Sequence, residues 1–163
     1  MKTILHILPY ENYNEKAFSI AKKLSGKSKR ICYVTLNKTC MAVHESLKNN
    51  KIDIKKFYCL DSVTPNLFKK KPIANCVYVD LKDLSKFADT LLNLIKLKKI
   101  DTVVLDSLSS LLVYKPAKDV IKLLEYIVPF FEELRVALII FALKDDIDNP
   151  SVKQVKMMAA KSR

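Results

Sequence analysis

The chain has 163 residues, half of them hydrophobic, a formal net charge of +12 and a single glycine. That length suits one domain with a substantial core, and no apolar run approaches the roughly 20 residues a membrane helix requires, so a chain spanning a membrane by helices is excluded. The charge favours anionic partners, yet every basic residue except Arg30, Arg135 and Arg163 is a lysine, a point charge without the planar fork used for bidentate base or phosphate recognition.

Residues 3–8 form a short apolar run suited to a central strand buried on both faces. Behind Met1 and Lys2 this run resembles a signal peptide only superficially. It is too short, Pro9 breaks it and no small-residue cleavage site follows, so the expected location is the cytoplasm. A helix comes next, with Ala17, Phe18, Ile20, Ala21 and Leu24 on one stripe. It is expected to stop at Ser25-Gly26, with glycine as a left-handed C-cap. Residues 31–36 read as the second strand, 38–49 as a second helix, and 57–60 as a third, weaker strand.

Residues 62–75 carry two prolines and three successive lysines and read as an exposed connection with room for a helical turn; 76–79 is another short strand. An amphipathic helix spans about 81–98, with Leu84, Phe87, Ala88, Leu91, Leu92 and Ile95 inward. Residues 102–105 are a strand ending at Asp106. Pro116 opens a long helix to about Leu134, and Pro129 inside it is expected to kink or interrupt it. Residues 136–143, the longest apolar run, read as a central strand, followed by an acidic turn at 144–150 and a short basic tail. Strands alternating with helices imply a parallel sheet with right-handed crossovers. No repeat or linker divides the chain, so residues 1–149 are read as one α/β domain and 150–163 as a C-terminal tail.

The four cysteines, Cys32, Cys40, Cys59 and Cys76, form no C-x-x-C pair, and three of them lie in apolar strand-like runs, so buried reduced thiols are expected. His6 and His44 are far apart and neither belongs to a ligand-spaced cluster; no metal site and no cofactor are expected.

Gly26-Lys27-Ser28 matches the closing G-K-S/T of a phosphate-binding P-loop, but the position of its first glycine is Ala21. The tripeptide also follows a helix and precedes a strand, the reverse of what a phosphate loop needs. It is a decoy. The correct place for such a loop is after the first strand, at Pro9-Tyr10-Glu11-Asn12-Tyr13-Asn14-Glu15-Lys16. This turn is bulky and lacks glycine. Its Asn12-x-x-Glu15 spacing suits a capping box that satisfies the helix amides, and Glu11 and Glu15 place carboxylates where an anion would otherwise be attracted. Lys16 is the residue there that could substitute for a phosphate-binding lysine.

An apolar strand over 102–106 ending in Asp106-Ser107, followed by a small-and-leucine segment, resembles the Walker B region of RecA/KaiC-like ATPases. Residues 30–36 resemble that superfamily's second core strand, and 136–143 the strand beyond Walker B. The resemblance implies a three-layer α/β sandwich with a mostly parallel central sheet, a truncated RecA-like core. In the family the aspartate positions Mg²⁺ through water and a glutamate after the second strand activates the attacking water. Asp106 matches the first role; the second falls near Asn37, which is no carboxylate base. Pro9, Asn12 and Asn14 fall at glycine positions of the phosphate loop and Glu15 at its lysine.

The expectation is therefore a degenerate domain with no catalytic residues, acting as a binding or regulatory module against a RecA-like ATPase or against itself. Tyr10, Tyr13 and the 107–114 segment are the contact candidates. The alternatives are a nucleic-acid-binding accessory protein using its lysine-rich surface non-specifically, and a nucleotide-binding protein or ATPase with an unconventional phosphate site. No membrane partner is expected.

Overall fold

The computed structural model describes residues 2–67, 69, 71–159 and 161–162, the last two by their backbone alone. Met1, Phe68, Lys70, Ala160 and Arg163 lie outside the described residues, and with them parts of the lysine run at 69–71 and of the basic tail. The strands are β1 (Thr3–Leu8), β2 (Ile31–Thr35), β3 (Phe57–Asp61), β4 (Cys76–Tyr78), β5 (Thr102–Asp106), β6 (Ala137–Leu143) and β7 (Lys161–Ser162). The α-helices are α1 (Tyr13–Ser25), α2 (Cys40–Asn49), α3 (Thr64–Leu67), α4 (Leu84–Lys98), α5 (Leu108–Tyr114), α6 (Ala117–Glu133) and α7 (Pro150–Met158).

The strands form one sheet in the order β4-β3-β2-β5-β6-β1-β7, parallel at every junction. Helices cover both faces, giving the three-layer sandwich. On one face Ala17, Phe18 and Ala21 of α1 and Val43 and Leu47 of α2 meet Tyr33, Phe57, Val104 and Phe141. On the other, the apolar stripes of α4, α5, α6 and α7 meet Leu5, Cys32, Val34, Leu60, Val103 and Leu138. Each interior strand thus sends alternate side chains into two cores, which explains why these runs are apolar throughout rather than alternating. Among the described residues, no helix is long and apolar enough to cross a membrane.

The third strand, weak as a sequence signal, is present and interior, paired with β2 and β4, because Phe57 and Cys59 fill one core while Leu60 fills the other. Three details depart from the sequence reading. The segment after Asp106 contains a distinct helix, α5, capped by Ser107, whose Oγ accepts from the Ser110 amide at 3.0 Å. Pro129 sits inside α6 without ending it; the residue is exposed, so the lost amide bond falls on the solvent side. The boundary drawn at 149/150 is not a packing boundary. Val152 and Val155 of α7 are buried in the second core, the exposed Lys153 and Lys156 account for the basic character, and β7 pairs with β1.

The helix ends reverse the expected use of glycine. Gly26 is not left-handed: its φ is −74°, and an added Cβ would lie 3.5 Å from the Lys23 carbonyl oxygen, an ordinary contact. Instead α2, α4 and α6 end on Lys51, Lys99 and Arg135, with φ of 56°, 52° and 56°. Each is followed by a buried Ile52, Ile100 or Val136, whose amide reaches back to Leu47, Ile95 or Phe131 at 2.9, 3.0 and 2.8 Å. This is the Schellman arrangement, with a cation at the left-handed position, where it also complements the helix dipole. A left-handed non-glycine residue costs roughly 1–2 kcal/mol, so Lys99→Gly is expected to stabilise the fold by about 1 kcal/mol. Gly26→Ala is expected to add about 0.4–1 kcal/mol by restricting the unfolded chain. Urea unfolding of both variants checks this; destabilisation by Gly26→Ala would show that the glycine is needed after all.

Candidate functional site

The register of the parallel strands sets two carboxylates at one level of the sheet, on either side of β2. Thr35 at the end of β2 pairs with Asp106 of β5 on one side and with Asp61 of β3 on the other. Both aspartates are fully buried at the carboxyl end of the sheet, the edge where open α/β sheets hold ligands. Their partners differ, and the difference decides what each can do.

Asp106 is held by side chains. Tyr13 at the start of α1 donates its hydroxyl to Oδ1 at 2.5 Å, and Asn37, in the turn after β2, donates Nδ2 to the same oxygen at 3.0 Å. Tyr33, from the middle of β2, donates to Oδ2, which also receives the Lys38 ammonium at 3.2 Å. Each oxygen accepts two hydrogen bonds, and a carboxylate has about four lone-pair sites in all. Lys38 is itself only 16% exposed; it bonds Asn37 Oδ1 at 3.1 Å and lies 5.5 and 5.9 Å from the ring centroids of Tyr13 and Phe18. Phe18 in turn stacks on Tyr33, centroids 5.9 Å apart. The peptide bond between Asp106 and Ser107 is cis.

Burial, and then the Asp106 charge, push the phenol pKa of both Tyr13 and Tyr33 well above the ordinary value of 10.0. The folded chain therefore keeps two protons that the unfolded chain releases near pH 10, so this stability is intact below that pH and is lost as pH rises above it. In an alkaline absorbance titration, the phenolate signal of two tyrosines is expected to appear only as the protein unfolds, and of only one in Tyr13→Phe.

Above Asp106 lies an open cleft of about 650 Å³, lined by residues 10–15, Asn37, Lys38, Ser107, Ser110 and Leu143. The turn at its floor differs from the expected capping box. Asn12 occupies the N-cap position, but its side chain makes no capping bond, its backbone lies at φ −132°, ψ 34°, and its buried Oδ1 has no partner. The tie from Tyr13 to Asp106 anchors the helix start instead, and the Asn14 and Glu15 side chains that follow are exposed. Glu11 and Glu15 lie on the cleft wall while Lys38 is neutralised by Asp106, so the charge left there is acidic. Lys16 is exposed and does not line the cleft. A magnesium–triphosphate group does not fit these residues: the aspartate offers no free oxygen, and the turn offers bulky side chains and carboxylates where phosphate oxygens would lie.

Asp61 is held by the main chain. It accepts the amides of Cys40 (2.8 Å), Val63 (2.8 Å) and Thr64 (2.9 Å), together with the Thr64 hydroxyl. It therefore fixes the start of α2 and the turn into α3 at once.

The structure thus brings Asp106, Asn37 and Tyr13 together, uses Ser107 as a helix cap, and leaves Tyr10, Glu11 and Asn14 lining the cleft, with Pro9 outside that lining. Sequence reasoning missed Tyr33, Lys38 and Asp61. It also treated the cysteines and His44 as unrelated, whereas Cys40 and Cys76 are disulfide-paired, with His44 Nε2 at 3.8 and 4.0 Å from their sulfurs. Only Cys32 and Cys59 remain as free buried thiols.

The fold so described is that of a RecA-like α/β domain. Among solved structures, the chain is similar to a KaiC-like protein of the hyperthermophilic archaeon Pyrococcus horikoshii, with a TM-score of 0.62 at 15% sequence identity over 87% of this chain. It spans 61% of that structure's length. No protein-family model matches the sequence, and no curated protein is significantly similar to it.

Proposed function

We propose that this chain is a RecA/KaiC-type domain that has lost nucleotide hydrolysis and acts as a binding or regulatory module, in contact with a RecA-like ATPase or with a second copy of itself. The observation that carries this reading is the saturation of Asp106 by Tyr13, Tyr33, Asn37 and Lys38. An aspartate that serves a metal needs at least one oxygen lone pair directed at the ion or its water. Here a built-in ammonium neutralises the charge that a metal would otherwise meet. The absence of a carboxylate at Asn37 supports the same reading, since no base stands ready to activate water. Tyr10, Val113 and Tyr114, on the segments that follow β1 and β5, are 71%, 80% and 64% exposed and supply apolar contact area at the same end of the sheet.

With Mg–ATP, phosphate release by the purified chain is expected to stay at the buffer background. A rate above background that Asp106→Asn abolishes would contradict the reading. The binding role predicts an association, seen by sedimentation velocity with concentration or with a RecA-like ATPase of the same cell, that Val113→Asp weakens. Association unchanged in that variant would show that this face is not the contact surface.

A further inference from the structure

A second cluster of chemistry-bearing side chains lies under the N-terminal end of α2, in the first core and away from Asp106. Cys59 and Cys76 are register partners on adjacent parallel strands, so their side chains stand next to one another on the same face of the sheet. Above them α2 contributes Cys40 and His44, four residues apart and hence on one side of the helix. The sulfurs of Cys40, Cys59 and Cys76 all lie within 4.8 Å of one another, all three residues are buried, and His44 Nε2 lies 3.8 Å from the sulfur of Cys40 and 4.0 Å from that of Cys76.

The Cys40–Cys76 disulfide, with Cα atoms 6.4 Å apart, accounts for two of these four groups. It gives no reason for a third thiol and an imidazole to converge on the same point. Three thiolates and one imidazole are a donor set of structural zinc sites, where metal–sulfur bonds of about 2.3 Å and metal–nitrogen bonds of about 2.0–2.1 Å place sulfur and nitrogen roughly 3.6 Å apart. The distances to His44 are close to that spacing. The Cys40 end is also pinned from outside, because its amide is bonded to Asp61 at 2.8 Å.

We propose that in the reduced chain Cys40, Cys59, Cys76 and His44 together hold one tetrahedral soft divalent cation of the zinc class. Reduction of the disulfide by a phosphine and water takes up two electrons and two protons and gives the phosphine oxide. Metal binding then displaces the three thiol protons, and neutral His44 binds through Nε2. The ion ties α2 to the interior strand β3 and the edge strand β4, beside the proline- and lysine-rich connection. This proposal does not depend on the fate of nucleotide at Asp106.

The test uses the whole chain, reduced with a phosphine, stripped of metal and titrated with Co²⁺ and then with Zn²⁺ against a chromogenic chelator. The expected result is one Co²⁺ per chain, with the visible bands of tetrahedral thiolate-ligated cobalt, displaced by Zn²⁺. Cys59→Ser and His44→Ala are each expected to weaken binding by more than the ~10–100-fold that follows loss of an outer-shell partner. Cys32→Ser, whose side chain lies in the opposite core, is expected to bind as wild type. His44 is half-buried, so its variant remains informative if Cys59→Ser fails to fold. No cobalt uptake by a chain with all its thiols reduced would overturn the proposal, as would uptake unchanged in both ligand variants. Retention of the Cys40–Cys76 disulfide under the phosphine, found by thiol counting in denaturant, would overturn it too.

Discussion

Asp106→Asn is expected to lower the free energy of unfolding by about 3–5 kcal/mol, the cost of breaking a buried charged network by removing one partner. The amide nitrogen that replaces one oxygen would face two donors, either Tyr13 with Asn37 or Tyr33 with Lys38. Neither pair can turn away without leaving a buried hydroxyl unpaired. The sign is diagnostic. An aspartate kept for a metal is an uncompensated buried carboxylate when the metal is absent, and its neutralisation would stabilise the protein alone. Urea unfolding of Asp106→Asn, Lys38→Met and the double variant separates the cases, because a genuine network gives a coupling energy between the two positions. Stabilisation by Asp106→Asn would show that the four donors do not hold the carboxylate.

Asp61→Ala is expected to cost a similar amount, about 3–5 kcal/mol, by a different route. It leaves the amides of Cys40, Val63 and Thr64 without their acceptor, at roughly 1–3 kcal/mol for each buried group left unpaired and less than the full sum once the turn relaxes. Asp61→Asn keeps one acceptor oxygen and should recover part of the loss. Hydrogen exchange localises the effect: the amides of residues 40, 63 and 64 should lose protection while those of β1 and β6 keep theirs until the whole domain opens. Uniform loss of protection in Asp61→Ala would place its role elsewhere.

The elements that could be read along the chain were those with a long period or an unbroken apolar run. The stripe of α4 and the runs of β5 and β6 are local signals, and alternation of strand and helix is enough to imply a parallel sheet. α5 was not legible because a seven-residue segment, five of it serine or leucine, carries little periodicity after a strand. The ends of α2, α4 and α6 were legible to within a residue, but the way each helix stops was not, because the stop is written as a cation followed by Ile52, Ile100 or Val136 rather than as glycine. The buried apolar residue after the left-handed one, not the glycine, is what tertiary structure demands there.

At the site, the aspartate and the asparagine after β2 could be placed by position. Their relation could not, since Tyr33 and Lys38 reach Asp106 only once β2 lies beside β5 in register. A tyrosine inside a strand reads as core, and Tyr33 is core; its hydroxyl alone reaches Asp106. The cysteine cluster was hidden in the same way. Cys59 and Cys76 become neighbours through strand pairing, and Cys40 and His44 become relevant only when α2 folds over them, so no spacing along the chain announces the set.

The proposed loss of nucleotide hydrolysis requires that Asp106 already be fully occupied by its four donors. Calorimetric titration of the purified chain with ATP and Mg²⁺ to millimolar nucleotide is the most direct test. The expected result is heats of dilution only, in wild type and in Lys38→Met alike. A saturable isotherm in the wild type, lost in Asp106→Asn while the variant remains folded, would contradict it.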